Sequence, residues 1–204
     1  MQVDRMQVPH AEPGMRIGLF GGSFNPPHEG HRLVALQCLR RLGLDQVWIL
    51  VSPGNPLKDH RELAPLAERV DQTIKVMDDP RLVVTAFEAE RGFAYTSETI
   101  AYLHRTHPGV RFVWLMGADS LLTFDRWENW QEIAATVPMA IYARPGSAQR
   151  ATRSRAAMVL DHARIPERDA GTLADRNAPA WVYLRGVMSA ASSTALRARA
   201  AAAQ

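Results

Sequence analysis

Cysteine is almost absent from this sequence, which has a single one, Cys38, in 204 residues. A lone cysteine excludes an intrachain disulfide and excludes a metal site built from several thiolates. Long apolar runs are also missing, so no segment is suited to cross a bilayer, and no secretory signal is evident. These absences predict a cytoplasmic protein that does not act at a membrane.

An excess of charge of one sign is missing as well, since the formal net charge is only +3. That excess is too small to indicate a nucleic-acid partner without a concentrated basic patch. Arg150, Arg153 and Arg155 have no aromatic residues between them and are interpreted as a solvated face. The composition is typical of a globular protein, is compatible with small anionic substrates, and leaves a homo-oligomer open.

The first residues lack hydrophobic periodicity and contain Pro9, Pro13 and Gly14. We therefore predict a disordered extension over residues 1–14. The length of the remainder suits one domain with a sizeable core, which we place at residues 15–204.

Apolar runs alternate with helical patterns along the rest of the chain. Such alternation is typical of a parallel sheet with helices on both faces. It predicts an α/β protein with a Rossmann-like open, mainly parallel sheet. The predicted strands are 17–20, 47–51, 82–87, 110–116, 139–143 and 181–184. The predicted helices are 28–43, 65–78, 96–104, 152–162 and the C-terminal segment, and 164–178 is predicted to be a polar loop.

A glycine turn that leads into two histidines follows the first predicted strand, with the sequence GGSFNPPHEGH at residues 21–31. His28 and His31 are three residues apart and share one face near a helix N-terminus, where backbone N–H groups attract anions. Two imidazoles there add donors suited to a polyphosphate. The structural alternative is a capping turn with two surface histidines. The spacing excludes a zinc-protease helix, a G-x-G-x-x-G dinucleotide motif and a P-loop.

This stretch resembles the H-x-G-H signature of the nucleotidylyltransferase superfamily. More narrowly, GGSFNPPH resembles the bacterial nicotinate-mononucleotide adenylyltransferases. The resemblance implies transfer of the adenylyl group of ATP to nicotinate mononucleotide in NAD biosynthesis, with Mg²⁺ carried mainly on the ATP phosphates. Alternatives are an adenylyltransferase for nicotinamide mononucleotide or phosphopantetheine, and a non-catalytic nucleotide-binding regulator.

Two further regions resemble phosphate- or nucleotide-binding parts of the same superfamily. Residues 192–197, SSTALR, are similar to its second signature, where hydroxyl caps and an arginine lie at a helix start. Gly117-Ala118-Asp119-Ser120 follows a strand and resembles a nucleotide-contacting turn, although a helix cap explains it equally well. Because carboxyl ends of parallel strands share one edge, we expect these regions to converge on one crevice.

The acceptor side is implied by three other resemblances. Tyr95-Thr96 is similar to a family pair beside the pyridine ring, with Thr96 or Ser97 as the structural helix cap. Trp127 is assigned as a stacking wall, and the nicotinate carboxylate faces Thr96 and backbone N–H groups near Trp127 and Glu128. Lys58 matches a lysine that reaches the triphosphate, or is a solvated loop residue.

The resemblance thus implies three overlapping sets of site residues and no metal ligand. The catalytic set is His28, His31, Lys58 and Arg197. The ATP-binding set is Gly21, Gly22, Ser23, Phe24, His28, His31, Gly117, Asp119, Ser192, Ser193, Thr194 and Arg197. The set for nicotinate mononucleotide is Asn25, Lys58, Tyr95, Thr96, Trp127, Glu128 and Arg144.

Overall fold

A computed structural model describes residues 5–54, 63–143, 148–187, 189, 191 and 193–202. Within these residues the strands are β1 (Arg16–Gly22), β2 (Gln46–Val51), β3 (Leu82–Thr85), β4 (Arg111–Gly117), β5 (Met139–Tyr142), β6 (Arg164–Ile165) and β7 (Trp181–Leu184). All of their pairings are parallel, and they form one sheet in the order β3-β2-β1-β4-β5-β7-β6.

Helices connect these strands. They are α1 (Glu29–Arg41), α2 (Leu66–Val76), α3 (Phe87–Arg91), α4 (Thr96–Thr106), α5 (Ala118–Leu121), α6 (Trp130–Thr136), α7 (Ala148–Ala151), α8 (Arg155–Val159) and α9 (Ser193–Ala202), with 3₁₀ segments at Phe124–Arg126, Asp161–Ala163 and Glu167–Asp175. In the part of the chain that the structure describes, no helix combines the length and apolarity that a bilayer crossing requires.

Two apolar clusters cover the two faces of the sheet. Along β4, Leu115 packs in one cluster, whereas Trp114 and Met116 pack in the other. Strands that are buried on both faces need apolar side chains on both, which explains their continuous apolar runs. The predicted open α/β sheet is confirmed.

The chain changes direction in the sheet between β1 and β4. It builds outward from β1 through β2 to β3, and then returns to place β4 on the other side of β1. Ligands of open α/β sheets bind at the carboxyl edge beside such a reversal. Gly21 and Gly22, predicted to form a tight turn, instead pair with Leu50 and Val51 as the last residues of β1. The turn that follows them and Gly117 at the end of β4 both lie at this edge.

The region between β5 and β7 differs from its prediction. Residues 164–178, predicted to be a polar loop, contain β6, which pairs Arg164 with Trp181. A strand of two residues is too short to show periodicity. The predicted helix at 152–162 is also broken, because Ser154 Oγ accepts the N–H of Ala157 at 3.3 Å and starts α8.

Residues 5–14 do not follow the prediction of a disordered extension. The N–H of Ala86 donates to the Arg5 carbonyl at 2.8 Å, and Thr85 Oγ1 donates to the Gln7 carbonyl at 2.9 Å. Gly14 donates to the Gly109 carbonyl at 2.8 Å. These contacts hold the segment against β3 and the start of β4. Because they use backbone groups of the segment, they require no periodic pattern of apolar residues in its sequence.

Deletion of residues 1–14 is expected to lower Tm by about 5 °C or more. Each hydrogen bond contributes about 1 kcal/mol net, and about 1 kcal/mol moves Tm by roughly 2–4 °C at this chain length. Calorimetry of a chain beginning at Met15 measures the effect, and a chain beginning at Arg5 is the matched control. An unchanged Tm in the shorter chain would mean that these contacts do not stabilise the fold.

Candidate functional site

The last two residues of β1, which lead into the turn, are approached closely by aromatic rings. A Cβ on Gly21 would lie 2.8 Å from Cη2 of Trp114, and one on Gly22 would lie 3.2 Å from Cε2 of Phe24. Phe24 itself adopts a left-handed backbone with φ of 45°. This conformation costs a non-glycine residue about 1–2 kcal/mol, so buried packing of its ring must hold it. That ring lies edge-on to Phe20 and His31, with centroids 5.8 and 5.0 Å away.

His28 and His31 meet at the start of α1, as their spacing predicted. His31 Nδ1 accepts the backbone N–H of His28 at 3.2 Å. A backbone N–H only donates, so this bond leaves the proton of a neutral His31 ring on Nε2. The two rings stack with centroids 3.8 Å apart and planes 25° apart, and His28 is buried. In a neutral His31 ring Nε2 therefore carries the proton, and donation from it to a ligand stays a prediction.

Gly30 lies between these histidines and is required by the packing around it. A Cβ at this position would lie 2.9 Å from Nδ1 of His28 and 3.4 Å from the carbonyl oxygen of Ala191. The glycine therefore leaves room both for the His28 ring and for the segment that precedes α9.

The second phosphate motif lies directly against the first. Ser193 Oγ donates to the Pro26 carbonyl at 2.9 Å, and Arg197 Nη1 donates to the Asn25 carbonyl at 2.6 Å. These bonds join residues more than 160 positions apart in the sequence. The predicted convergence of these two regions is therefore present in the structure. Thr194, on the first turn of α9, is exposed.

Residues that the sequence analysis did not single out anchor the chain between β7 and α9. Arg41 donates to the Arg185 carbonyl at 2.5 Å and to Glu167 Oε1 at 2.7 Å. Glu167 Oε1 also accepts the Arg185 N–H at 2.6 Å, and Tyr142 donates to the Val187 carbonyl at 2.9 Å. Burial acts to raise the pKa of the Glu167 carboxyl, but hydrogen bonds from Arg41 and Arg185 outweigh it and hold that pKa below its usual value.

These anchoring residues have no motif that marks them in the sequence. Apart from the ion pair between Arg41 and Glu167, their partners are backbone carbonyls and N–H groups, which residues of almost every type carry. The connection they fix brings α9 back from β7, across β5 and β4, to the turn after β1.

The third nucleotide region lies at the end of β4. Gly117 is the last residue of that strand and precedes α5, where Asp119 is exposed. Because β4 is the neighbour of β1, both residues lie at the same sheet edge as the glycine turn. The predicted position is confirmed, and contact with a nucleotide stays a prediction.

Trp127 ends the 3₁₀ segment Phe124–Arg126 and is half-buried. Its ring lies edge-on to Phe124 at 5.4 Å and to Trp114 at 6.3 Å. Trp130 packs partly against the same cluster and lies 5.8 Å from Phe124. The backbone N–H of Trp127 already donates to the Phe124 carbonyl at 3.0 Å. This N–H is therefore already paired, and donation to a carboxylate by the N–H of Glu128 stays a prediction.

Tyr95 and Thr96 lie at the start of α4. This helix contacts α6, which begins three residues after Trp127. Tyr95, 41% exposed, precedes the helix as its N-cap, and Thr96 is the first helical residue. The prediction of Thr96 or Ser97 as the cap is wrong. The carboxylate of Glu98 caps this end of the helix where a hydroxyl was expected, because its Oε2 accepts the N–H groups of Ala94 and Tyr95, each at 2.8 Å.

Three predicted site residues, Lys58, Arg144 and Ser192, lie outside the described residues. Asn25 lies in the turn, where its Oδ1 accepts the N–H of Ala64 at 3.2 Å. Among the residues that the structure describes, no group of three or more His, Cys, Asp or Glu side chains could hold a metal ion.

Comparison with known proteins agrees with this geometry. The cytidylyltransferase-like family model matches residues 19–199. The chain is 53% identical over 190 residues to a probable nicotinate-nucleotide adenylyltransferase of Mesorhizobium japonicum, covering 93% of this chain and 97% of that protein. It is 56% identical over 185 residues to a protein of the same name from Methylorubrum extorquens, covering 91% and 100%.

Among solved structures, the fold resembles Plasmodium falciparum nicotinic acid mononucleotide adenylyltransferase complexed with NaAD. The TM-score is 0.64 at 15% identity, over 90% of this chain and 83% of that one. At this identity the likeness supports the fold alone. The family model and the two bacterial relatives span nearly the whole chain, and the chain therefore belongs to the cytidylyltransferase-like family and, within it, to the nicotinate-nucleotide adenylyltransferases.

Proposed function

We propose that this protein transfers the adenylyl group of ATP to nicotinate mononucleotide, forming nicotinate adenine dinucleotide and pyrophosphate in NAD biosynthesis. The observation that carries the proposal is the meeting of both phosphate motifs beside the stacked histidines. Ser193 and Arg197 donate to the carbonyls of Pro26 and Asn25, immediately before His28. Donors from two distant regions are thus gathered around one site for a polyphosphate.

The reaction needs little covalent chemistry from the protein. An oxygen of the mononucleotide phosphate attacks the α-phosphorus of ATP. The bond from that phosphorus to the oxygen bridging the β-phosphorus then breaks, and pyrophosphate leaves with the bonding electrons. Because the attacking group is already an anion, no protein nucleophile or obligatory base is required. Catalysis consists of positioning and of stabilising charge that grows on the leaving group.

Each predicted residue has a role in this scheme. His28 and His31 donate to the leaving phosphates, with Nε2–H as the donor of His31. Arg197, Ser193 and the N-terminus of α9 bind the triphosphate, together with Ser192, Thr194 and Lys58. The segment from Gly21 to Phe24, at the end of β1, lies along the phosphates, and Gly117 and Asp119 bind the nucleotide. Asn25, Tyr95, Thr96, Trp127, Glu128 and Arg144 bind the mononucleotide.

Magnesium enters this scheme as part of the substrate MgATP. The described donors around the turn are imidazoles, hydroxyls and a guanidinium, which suit phosphate oxygens rather than a bare divalent cation. This donor set fits an ion carried on the phosphates.

Pyrophosphate release from MgATP, measured with each acceptor, tests the function. We expect the highest kcat/KM with nicotinate mononucleotide. Release with phosphopantetheine alone would assign the protein to another adenylyltransferase. ATP binding without release for any acceptor would instead indicate a nucleotide-binding regulator.

Substitution of Gly30 by alanine is expected to lower kcat by about tenfold or more, because the added methyl group displaces the His28 ring. Stability should change little, because the gain of up to about 1 kcal/mol for alanine over glycine within a helix offsets the cost of displacing the His28 ring. Gly171→Ala is the control, because a Cβ there meets only the Arg41 carbonyl, at 3.9 Å. Wild-type kcat in Gly30→Ala would show that the position of the His28 ring does not limit turnover.

A further inference from the structure

Arg69, on α2, is a buried cation that the reaction scheme above does not use. Only 1% of the residue is exposed. Nε donates to the Ala64 carbonyl at 2.9 Å, and Nη1 donates to the carbonyls of Ser23 and Ser52, both at 2.8 Å. Nη2 donates to the Pro53 carbonyl at 3.2 Å. Within the described residues the guanidinium forms no ion pair, and each of its acceptors is a neutral carbonyl.

One of these bonds controls the turn that leads into the histidines. The Ser23 carbonyl belongs to the peptide group that joins Ser23 to Phe24, the residue with φ of 45°. Since a peptide group is planar, holding its oxygen sets the orientation of the whole group and with it the φ angle of Phe24. Arg69 therefore holds the left-handed residue from which the chain proceeds to His28.

The other bonds join this turn to neighbouring chain segments. Ser52 and Pro53 directly follow β2, which is paired with β1. Ala64 precedes α2; its N–H donates to Asn25 Oδ1 in the turn, and its carbonyl accepts Arg69 Nε, so it is joined to the turn both directly and through the guanidinium. The guanidinium thus donates hydrogen bonds to three chain segments at the carboxyl edge of the sheet.

The charge of this group is also distinctive. Burial lowers the pKa of the Arg69 guanidinium, but an arginine stays protonated at neutral pH. Carbonyl dipoles stabilise the cation without cancelling its charge. A polyphosphate bound at the turn therefore experiences a positive potential in a region that screens it less than water does.

We propose that Arg69 is a positioning residue for the polyphosphate. It holds the Ser23–Phe24 peptide in the orientation that aligns the turn with His28 and His31, and it supplies an unneutralised positive charge behind that turn. The proposal rests on the proposed function and names a further residue for its phosphate site. The competing explanation is that Arg69 only cross-links the fold.

Calorimetric binding of pyrophosphate distinguishes these explanations, with KM for ATP and for the mononucleotide as companion measurements. The variants are Arg69→Met, which removes the charge and the donors, and Arg69→Lys, which keeps the charge but loses the planar fork that reaches four carbonyls at once. Val70→Ala, a buried neighbour on α2, is the control for lost stability. Lys75→Met is the control for loss of an exposed cation on the same helix.

We expect Arg69→Met to weaken pyrophosphate binding and raise KM for ATP by about tenfold or more, with a smaller change in KM for the mononucleotide. Arg69→Lys should have an intermediate effect and weaken pyrophosphate binding by roughly threefold relative to wild type. Both controls should bind pyrophosphate within about twofold of wild type, although Val70→Ala lowers Tm.

Wild-type pyrophosphate affinity in an Arg69→Met protein whose Tm has fallen would overturn the proposal, because that is the signature of a cross-link. If Arg69→Met does not fold, the same comparison of pyrophosphate affinity with Tm is made on Arg69→Lys. If neither folds, the Nε–H resonance of Arg69 in ¹⁵N-labelled wild type decides, since it should shift when pyrophosphate is added and an unmoved signal contradicts the role. Calorimetry does not require turnover, so a loss of binding without any adenylyl transfer in the wild type would refute the proposed function alone.

Discussion

Alanine in place of His28 or His31 is expected to lower kcat by roughly a hundredfold or more, because each ring donates to charge that grows on the departing pyrophosphate. An interaction that strengthens only in the transition state affects kcat more than substrate affinity. KM for both substrates should therefore change much less than kcat. Pyrophosphate release under saturating substrates measures the effect.

Stability must be separated from turnover in this experiment. His31 Nδ1 accepts the His28 N–H at the start of α1, and losing such a cap costs about 1 kcal/mol. His31→Gln restores an acceptor that reaches back to the same N–H, as in a capping box. We expect it to recover stability relative to His31→Ala without recovering kcat.

An exposed histidine provides the matched control. His162 lies in the 3₁₀ segment after α8, and His162→Ala should leave both kcat and Tm unchanged. Turnover close to wild type in His28→Ala or in His31→Ala would remove that histidine from the mechanism.

Nicotinate mononucleotide is expected to be preferred over the amide by about 10²–10⁴ in kcat/KM. In the proposed binding mode the pyridine ring would stack on Trp127, and its carboxylate would accept bonds from Thr96 and from the N–H of Glu128. The amide places an NH₂ group where an acceptor is needed, so two donors face each other. A buried donor left unpaired costs about 1–3 kcal/mol, and the loss of the negative charge adds to this.

The structure supports the position of the two segments involved. Thr96 opens α4, which contacts α6, and Trp127 lies just before α6 with its ring held between Phe124 and Trp114. The preference is measured as kcat/KM for both mononucleotides at saturating ATP. A ratio near one, or a preference for the amide, would show that these segments do not bind the ring as proposed.

Thr96→Val tests the hydroxyl directly and should reduce the ratio by about tenfold, since it removes one donor to the carboxylate. Thr106→Val, at the far end of α4, is the control, because Thr106 Oγ1 donates to the Tyr102 carbonyl of its own helix and otherwise lies 2.9 Å from Nδ1 of the adjacent His107. An unchanged ratio in Thr96→Val would assign acid recognition to other groups.

Local patterns in the sequence were sufficient for every strand of the sheet except β6 and for the first motif. Continuous apolar runs identify β1, β2 and β4 because strands buried on both faces need apolar residues at every position. The spacing of His28 and His31 predicts their contact because helix geometry relates residues three apart. These features depend on neighbouring residues only.

Tertiary structure alone decided the features that depend on distant partners. The bonds from α9 to Asn25 and Pro26, the four carbonyls around Arg69, and the attachment of residues 5–14 to Thr85 and Ala86 all use backbone acceptors or donors. Every residue carries such groups, so no residue type or spacing marks which ones will pair. Their pairing is set by the path of the folded chain, which brings residues separated by up to 172 positions into one site.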